Sequence, residues 1–174
     1  PLDQALDLLG FDENVQLIYS KFDKLNVSGD AEDYVKLLLT APNKPLIDIE
    51  ISSCDAYVPF VYHIQAEHGS LKASMTNIDY KYYIPSDEPA RPLILEPLRG
   101  DKGQPIYCSE KLTWHEENIK IEGSAFDVGT SRYYDMVYRC LFEGRKPEIE
   151  PWQSMLQIKL SEQAHIDNPL PILF

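Results

Sequence analysis

The chain has 174 residues, of which 44% are hydrophobic and 25% are charged, and it carries a formal net charge of -12 at pH 7. This composition is typical of one globular domain with a substantial core. The 28 acidic residues outnumber the 16 basic ones, so the chain would repel a phosphate backbone, and nucleic acid is disfavoured as a partner. No apolar run approaches the roughly 20 residues that cross a bilayer, so we expect a soluble, cytoplasmic protein.

The first predicted element is a short helix at the start of the chain. Leu2, Ala5, Leu6 and Leu9 form an apolar helical stripe, and Gly10 is suited to close the helix. No Ser, Thr, Asp or Asn precedes Leu2 to cap the free amides, and no initiator Met is present. We therefore expect the chain to be a fragment of a longer protein.

Strands are predicted through the middle of the chain, where apolar and polar residues alternate. The predicted strands are residues 14–24, 32–40, 45–53, 60–65, 70–75, 77–84 and 117–122. Residues 26–30 supply turn chemistry between the first two, which predicts a hairpin. The segment from 85 to 105 is rich in proline and glycine, which predicts a long surface loop.

Two further helices are predicted after the strands. The first begins at an N-cap hydroxyl, Thr130 or Ser131, and is closed by Gly144. Its apolar residues at helical spacing are Tyr134, Val137, Tyr138 and Leu141. The second helix has Pro151 in its first turn, and its predicted buried stripe is Trp152, Met155, Leu156 and Leu160. This order predicts an α+β fold, a mostly antiparallel open-faced β-sheet with helices packed on one face.

The cysteines and the motifs give no indication of a chemical centre within the chain. Cys54, Cys108 and Cys140 are odd in number and widely separated, which predicts reduced thiols and neither a disulfide framework nor a zinc site. No Gly-rich nucleotide motif or zinc-binding helix motif occurs. Segment 114–117 has metal-capable side chains, but adjacent positions cannot converge on one ion. We therefore predict no catalytic, cofactor-binding or metal-binding residue.

The predicted sheet offers side chains that suit contact with a substrate or another subunit. His63 alternates with the apolar positions of its strand, and its alternative role is a hydrogen-bonded structural histidine. Tyr62 and Tyr80 belong to a group of sheet tyrosines whose rings and hydroxyls suit carbohydrate or subunit contact. Cross-strand packing is the alternative for these tyrosines. We select His63, Tyr62 and Tyr80 as the candidate substrate-binding residues.

Several segments share motifs, in order, with one enzyme family. The run from Leu2 to Gly10 reads L-D-Q-A-L-D-L-L-G, and Gly69 opens a G-S-L-K segment after a strand. Near the end, R-Y-Y-D from Arg132 precedes E-G-R-K-P from Glu143 and a last helix. This order resembles that of the Gfo/Idh/MocA oxidoreductases, which include glucose-fructose oxidoreductase and inositol dehydrogenase. The family's G-x-x-G-x-L segment here has Ala66 in place of its first glycine.

The resemblance implies that residues 1–174 are a single C-terminal substrate-binding and oligomerisation domain, without the N-terminal dinucleotide-binding domain. The parent protein would transfer hydride between NAD or NADP and a sugar, polyol or related compound. The family's catalytic His would fall just before Pro1, so the fragment alone would be inactive and would bind no cofactor. Its partners would be its own Rossmann domain, a second copy through the sheet face, and the small-molecule substrate of the parent.

Two other functions stay open at this point. The chain is alternatively a free-standing binding or assembly domain whose open sheet face holds a protein partner. A stand-alone hydrolase would instead pair His63 with Cys54 or Ser53, since these residues are close in sequence.

Overall fold

A computed structural model describes residues 1–57, 60–107 and 111–171, and Cys108 therefore lies outside the described residues. The helices are α1 (Leu2–Leu8), α2 (Ala125–Glu143) and α3 (Pro151–Asp167), with a short 3₁₀ helix at Pro85–Asp87. The strands are β1 (Gln16–Asp23), β2 (Tyr34–Thr40), β3 (Ile47–Ser52), β4 (Tyr62–Ala66), β5 (Gly69–Ala73), β6 (Asn77–Tyr82) and β7 (His115–Lys120). The α+β prediction is confirmed, and each predicted strand is present with shifted ends.

The strands form two antiparallel sheets where a single sheet was expected. Sheet A has the order β1-β2-β3, and sheet B has the order β4-β5-β6-β7. The chain divides accordingly into two compact units, one formed by Pro1–Tyr57 with the chain from Arg132 onward, the other by the chain between them. After β3 the backbone turns back on its own unit, because the Ser53 N–H donates to the Asp33 carbonyl at 2.9 Å. The Cys54 N–H then donates to Ser52 Oγ at 3.0 Å.

The hydrophobic core of the first unit lies between α1, α3 and one face of sheet A. Cross-strand pairing places Leu37 opposite Ile49 and Leu39 opposite Ile47, so β2 and β3 present these side chains on the same face. Full burial of a leucine contributes about 2 kcal/mol to folding. The buried residues of this core are Ala5, Leu6, Leu9, Val15, Phe22, Leu37, Leu39, Ala41, Ile49, Leu160 and Ala164.

A β-bulge in β1 keeps its apolar side chains on the core face. Leu17 pairs with Leu39, and the next pair is Tyr19 with Leu38, so Ile18 is an extra residue in the strand. A bulge of this kind reverses the alternation of side chains along the strand. In a regular strand Leu17 and Phe22 would point to opposite faces, because an odd number of positions separates them. The bulge places both side chains in the core.

Gly10 closes α1 as predicted. It has a φ of +71°, a conformation that glycine adopts without steric cost. Its N–H donates to the Asp7 carbonyl at 2.8 Å, and the Phe11 N–H donates to the Leu6 carbonyl at 2.8 Å. This pair of hydrogen bonds is the Schellman motif, which satisfies carbonyls at the end of the helix.

The predicted N-cap of α2 at Thr130 or Ser131 is wrong. The helix already begins at Ala125, and the Asp127 N–H donates to Ser124 Oγ at 3.5 Å. The prediction failed because Thr and Ser are also tolerated within helices, where their hydroxyls do not act as caps. The prediction that Gly144 closes α2 is confirmed, since this residue follows the helix with a φ of +66°.

The last helix begins at Pro151 as predicted, after a capping box formed by Glu150 and Gln153. Its core-facing stripe runs at intervals of four through Leu156, Leu160 and Ala164. Met155 lies beside this stripe and is 68% exposed, so its predicted burial is wrong. Trp152 is 39% exposed and contacts Phe11 edge-on, with ring centroids 6.1 Å apart. None of the helices that the structure describes is long and apolar enough to cross a membrane.

The predicted long loop joins β6 to β7, and it is attached to sheet B at its base. The guanidinium of Arg91 lies 5.0 Å from the ring centre of Tyr83. The Thr113 N–H donates to Glu88 Oε1 at 2.7 Å, which joins the two ends of the loop.

Gly69 is expected to be intolerant of substitution, because β6 approaches its backbone closely. A Cβ at this position would contact the Lys81 carbonyl oxygen and lie 2.7 Å from Tyr82 Cα, whereas a Cβ at Gly29 would meet nothing within 4 Å. Gly69→Ala should therefore cost about 1–3 kcal/mol and lower the melting temperature by about 2–10 °C, measured by circular dichroism. Gly29→Ala is the control. Equal melting temperatures for the two variants would contradict this account.

Candidate functional site

Sheet B presents two faces of different chemistry. Residues directly opposite one another on neighbouring strands share a face, and His63, Lys72 and Asp79 are opposed in this way across β4, β5 and β6. A second row runs beside the first and carries polar side chains as well. The polar face consists of His63, Gln65, Ser70, Lys72, Asp79, Lys81, Glu116 and Asn118.

Two ammonium groups and two carboxylates balance one another on the polar face. Lys81 Nζ donates to Glu116 Oε1 at 2.6 Å, and Lys72 Nζ lies 3.7 Å from Asp79 Oδ2. The Asn118 amide donates to Asp79 Oδ1 at 2.6 Å. These groups line an open depression of about 540 Å³. Exposed ion pairs contribute about 0–1 kcal/mol each, so a polar ligand could replace them at small cost.

The opposite surface of sheet B is apolar and aromatic. We call it the aromatic face; it consists of Tyr62, Ile64, Leu71, Ile78, Tyr80, Tyr82, His115, Glu117 and Ile119. The Tyr82 hydroxyl donates to Glu117 Oε1 at 2.6 Å. This hydrogen bond, together with partial desolvation, raises the pKa of Tyr82 above its ordinary value. The phenol is therefore a neutral hydrogen-bond donor at pH 7.

His115 lies beside this pair with an unsatisfied nitrogen. Its ring stacks on Tyr82, with centroids 5.4 Å apart and an angle of 26° between the planes. Among the residues that the structure describes, His115 Nε2 is a buried side-chain polar atom with no hydrogen-bond partner. Such an atom costs about 1–3 kcal/mol. A polar group that reached His115 would remove this cost.

The three residues predicted to bind substrate do not share one surface. Tyr62 and Tyr80 lie on the aromatic face, and His63 lies on the polar face, because successive strand residues point to opposite sides. The His63 ring contacts Phe60, with centroids 5.3 Å apart. Substrate binding by these three residues stays a prediction, and no single patch of sheet B includes all of them.

Sequence reasoning missed most of the polar face and the pair between Tyr82 and Glu117. The alternation within each strand is visible in the sequence, but the partners on β7 depend on a register set across a long loop. Alternation along β7 separates the metal-capable residues of segment 114–117, because His115 and Glu117 share the aromatic face while Glu116 lies on the polar face. The described parts of the chain contain no group of three or more His, Cys, Asp or Glu residues suited to a metal ion.

Asp33 forms a separate polar centre in the first unit. It is 6% exposed and accepts backbone hydrogen bonds from Leu25, Asn26 and Val27 at 2.7, 2.8 and 3.0 Å. These donors hold the pKa of Asp33 at about 2, below its ordinary value of 3.8. Burial, followed by the carboxylate 3.4 Å from its sulfur, raises the pKa of the Cys54 thiol. Cys54 is thus held as a thiol, which disfavours a nucleophilic role.

No protein-family model and no curated protein matches this sequence. Among solved structures, the fold is similar to that of oxidoreductases. An oxidoreductase from Bacillus cereus matches with a TM-score of 0.64 and 15% identity, over 95% of this chain and 46% of that chain. A probable oxidoreductase, yhhX, matches with a TM-score of 0.54 and 14% identity, over 98% of this chain and 46% of that chain. The chain therefore spans about half the length of these proteins and shares the fold of that half.

We expect Asp33→Asn to lower the melting temperature, because a neutral amide binds the three loop N–H groups more weakly than a carboxylate does. The pKa of Asp33 is lowered on folding, so its stabilising effect is complete above the ordinary value of 3.8 and is lost as pH falls through about 2. The difference in melting temperature from the wild type should therefore be constant near neutral pH and shrink in acid. Calorimetry over this pH range checks the prediction, with Asp30→Asn as the control. A difference that stayed constant down to the lowest pH would contradict it.

The same substitution should make Cys54 more reactive, since it removes the negative charge beside the sulfur. Peptide mass spectrometry after timed alkylation with iodoacetamide at pH 8 measures this rate for Cys54. We expect faster alkylation in Asp33→Asn than in the wild type or in Asp30→Asn.

Proposed function

We propose that this chain is the C-terminal domain of an NAD(P)-dependent oxidoreductase of the Gfo/Idh/MocA type. The observation that carries the proposal is the match of 95% of the chain to 46% of an oxidoreductase chain. The motifs at Leu2 to Gly10, at Gly69 and after Arg132 support it independently. In this proposal the cofactor and the catalytic residues belong to the other domain of the parent protein, and the fragment alone is inactive.

The polar face would supply one wall of the substrate cleft. Its ammonium, carboxylate, amide and imidazole groups alternate as donors and acceptors, which suits the hydroxyl groups of a sugar, polyol or related compound. The depression of about 540 Å³ is large enough for such a molecule. Of the predicted substrate-binding residues, His63 and Tyr80 line this depression, Tyr80 from a strand position whose side chain belongs to the aromatic face.

The aromatic face would pair with a second copy of the domain. Tyrosine rings with hydroxyl groups, surrounded by isoleucine and leucine, are typical of protein interfaces. Ile64 and Ile119 are 41% and 47% exposed, so this face still has apolar area to bury. Tyr62 and Tyr80 would then contact the second copy in place of the substrate.

The first test is the coding sequence upstream of Pro1. We expect a His codon immediately before Pro1, an Asp codon four residues earlier, and a Gly-rich strand-to-helix turn near the start. Titration with NADH or NADPH should quench the tryptophan fluorescence of the complete gene product. The fluorescence of the 174-residue chain should not change. A complete product that lacks these residues and binds neither nucleotide would refute the proposal and leave the binding or assembly domain.

A substitution on the polar face tests the substrate wall. In the complete gene product, Asp79→Asn should raise KM for the polyol or sugar substrate about tenfold, because one charged hydrogen-bond acceptor is lost, while the Kd for NADH is unchanged. Asp48→Asn is the matched control, since Asp48 is also a strand carboxylate paired with a lysine, at 2.8 Å from Lys36 Nζ in sheet A. Equal KM values for the two variants would show that the polar face does not contact substrate.

A further inference from the structure

A row of three rings borders the polar face of sheet B at the end next to the long loop. Tyr83 follows β6 and Trp114 precedes β7, and the register that pairs Lys81 with Glu116 places the two rings opposite each other. Their centroids are 5.8 Å apart, and the rings meet edge to face. Tyr83 also meets His68 edge to face at 5.3 Å, and its N–H donates to the His68 carbonyl at 2.9 Å. We call His68, Tyr83 and Trp114 the Trp114 row.

The Trp114 row continues the surface of the polar depression. Lys81 lies in that depression, where its ammonium group donates to Glu116 at 2.6 Å. The same ammonium nitrogen lies 5.5 Å from the ring centre of Trp114. A cation at this distance is attracted by an aromatic ring. The depression and the Trp114 row therefore share the Lys81 side chain and form one continuous surface.

The ring of Trp114 is held in place and is still partly uncovered. Trp114 is 46% exposed, although tryptophan is highly buried on average in folded proteins. Tyr83 is more enclosed, because the Arg91 guanidinium lies 5.0 Å from its ring centre. The residue before Trp114 is anchored, since the Thr113 N–H donates to Glu88 Oε1 at 2.7 Å. Trp114 consequently offers a fixed aromatic surface beside a group of hydrogen-bonding side chains.

The distance along the polar face fits two linked sugar rings better than one. Asp79 and Tyr83 are four residues apart along extended backbone, which separates them by about 13 Å. A single sugar ring is too short to reach from Asp79 to the Trp114 row, whereas two linked rings span this distance. The face of an aromatic ring is partially negative, so it packs well against the C–H groups of a sugar ring.

The charges on this surface favour a neutral ligand. Lys72 and Lys81 are paired with Asp79 and Glu116, so neither lysine supplies an uncompensated positive charge. The chain as a whole has a formal net charge of -12, which repels an anion such as a sugar phosphate. A neutral sugar can exchange hydrogen bonds with all four groups and meets no such repulsion.

We propose that the substrate is a neutral glycoside of two linked sugar rings, and that Trp114 contacts its second ring. This inference rests on the proposed function, in which the polar face is one wall of the substrate cleft. The first ring would hydrogen-bond to the depression, and the second would pack on Trp114. Oxidation of one hydroxyl of the first ring to a ketone would transfer a hydride to NAD(P)+ and release a proton. The glycosidic bond would stay intact.

The first part of the test compares substrates of the wild-type complete gene product. The single-ring compounds are glucose, galactose, inositol and glucose-6-phosphate, and the two-ring compounds are maltose, cellobiose, lactose and trehalose. We expect one of the disaccharides to give the highest kcat/KM, because only a two-ring compound reaches both the depression and Trp114. If a single-ring compound gives the highest value, or if no disaccharide is oxidised, the substrate assignment is wrong.

The second part of the test removes the ring of Trp114. In the complete product, Trp114→Ala should raise KM for the preferred disaccharide about tenfold with kcat unchanged, because binding to the second ring is lost. The Kd of that disaccharide, measured by calorimetry without cofactor, should rise equally. KM for the corresponding single sugar and the Kd for NADH should not change. Trp114→Phe keeps a ring and should retain most of the affinity.

The matched control is Trp152→Ala. Trp152 is 39% exposed and also meets one ring edge to face, that of Phe11 at 6.1 Å, but it lies in the other unit. We expect its KM values to equal those of the wild type. If Trp114→Ala affects the single sugar as much as the disaccharide, or resembles Trp152→Ala, Trp114 does not contact a second ring.

These results differ from a failure of the proposed function. In each of them the wild-type complete product still binds NADH or NADPH, so the oxidoreductase proposal stands while the glycoside inference is overturned. A complete product that binds neither nucleotide and oxidises none of the compounds would refute the proposed function, and this inference with it.

Discussion

Strand pairing in sheet B determines the two faces that this sheet presents. Side chains alternate between the two faces with a period of two, so a slip of one residue would exchange the polar face and the aromatic face. The two-residue turn between Ala66 and Gly69 fixes the pairing of β4 with β5. The absence of a side chain at Gly69 lets β6 approach and completes the register. The charge pairs, the stacked His115 and the hydrogen bond between Tyr82 and Glu117 all depend on this pairing.

Local sequence patterns were sufficient to predict the helices and strands. They were not sufficient to predict where every element ends or how the strands assemble into sheets. The glycines at positions 10 and 144 and the proline at 151 marked helix boundaries, because backbone conformation is decided by the residue itself at such positions. The prediction of Thr130 or Ser131 as the N-cap of α2 was wrong, since hydroxyl residues also occur inside helices. Met155 and Leu156 are both apolar, so their residue types do not show which is buried. Only the fold shows that Leu156 packs against the core and that Met155 is exposed. The division into two sheets falls between β3 and β4, a point that no periodicity reveals.

The sequence was sufficient to predict which types of side chain form the candidate site, but not which of them lie next to one another. Alternation alone separates Tyr62 from His63, and it places Tyr80 on the side opposite to Lys81. The residues across from Tyr80 and Lys81 on β7 were beyond sequence reasoning, because a long loop lies between the two strands and its length does not fix a register. The type of surface therefore follows from each strand, whereas the partners of each side chain follow from the fold.

Sheet B ends at β4 and β7, and the character of β7 limits how the sheet can associate. Four of the six residues of β7 are His, Glu or Lys, and charged residues on an outer strand oppose the addition of a further strand from another molecule. Growth of the sheet by edge-to-edge pairing is therefore disfavoured on that side. In the dimer proposed above, the two copies of sheet B would instead stack face to face, an arrangement that two-fold symmetry closes.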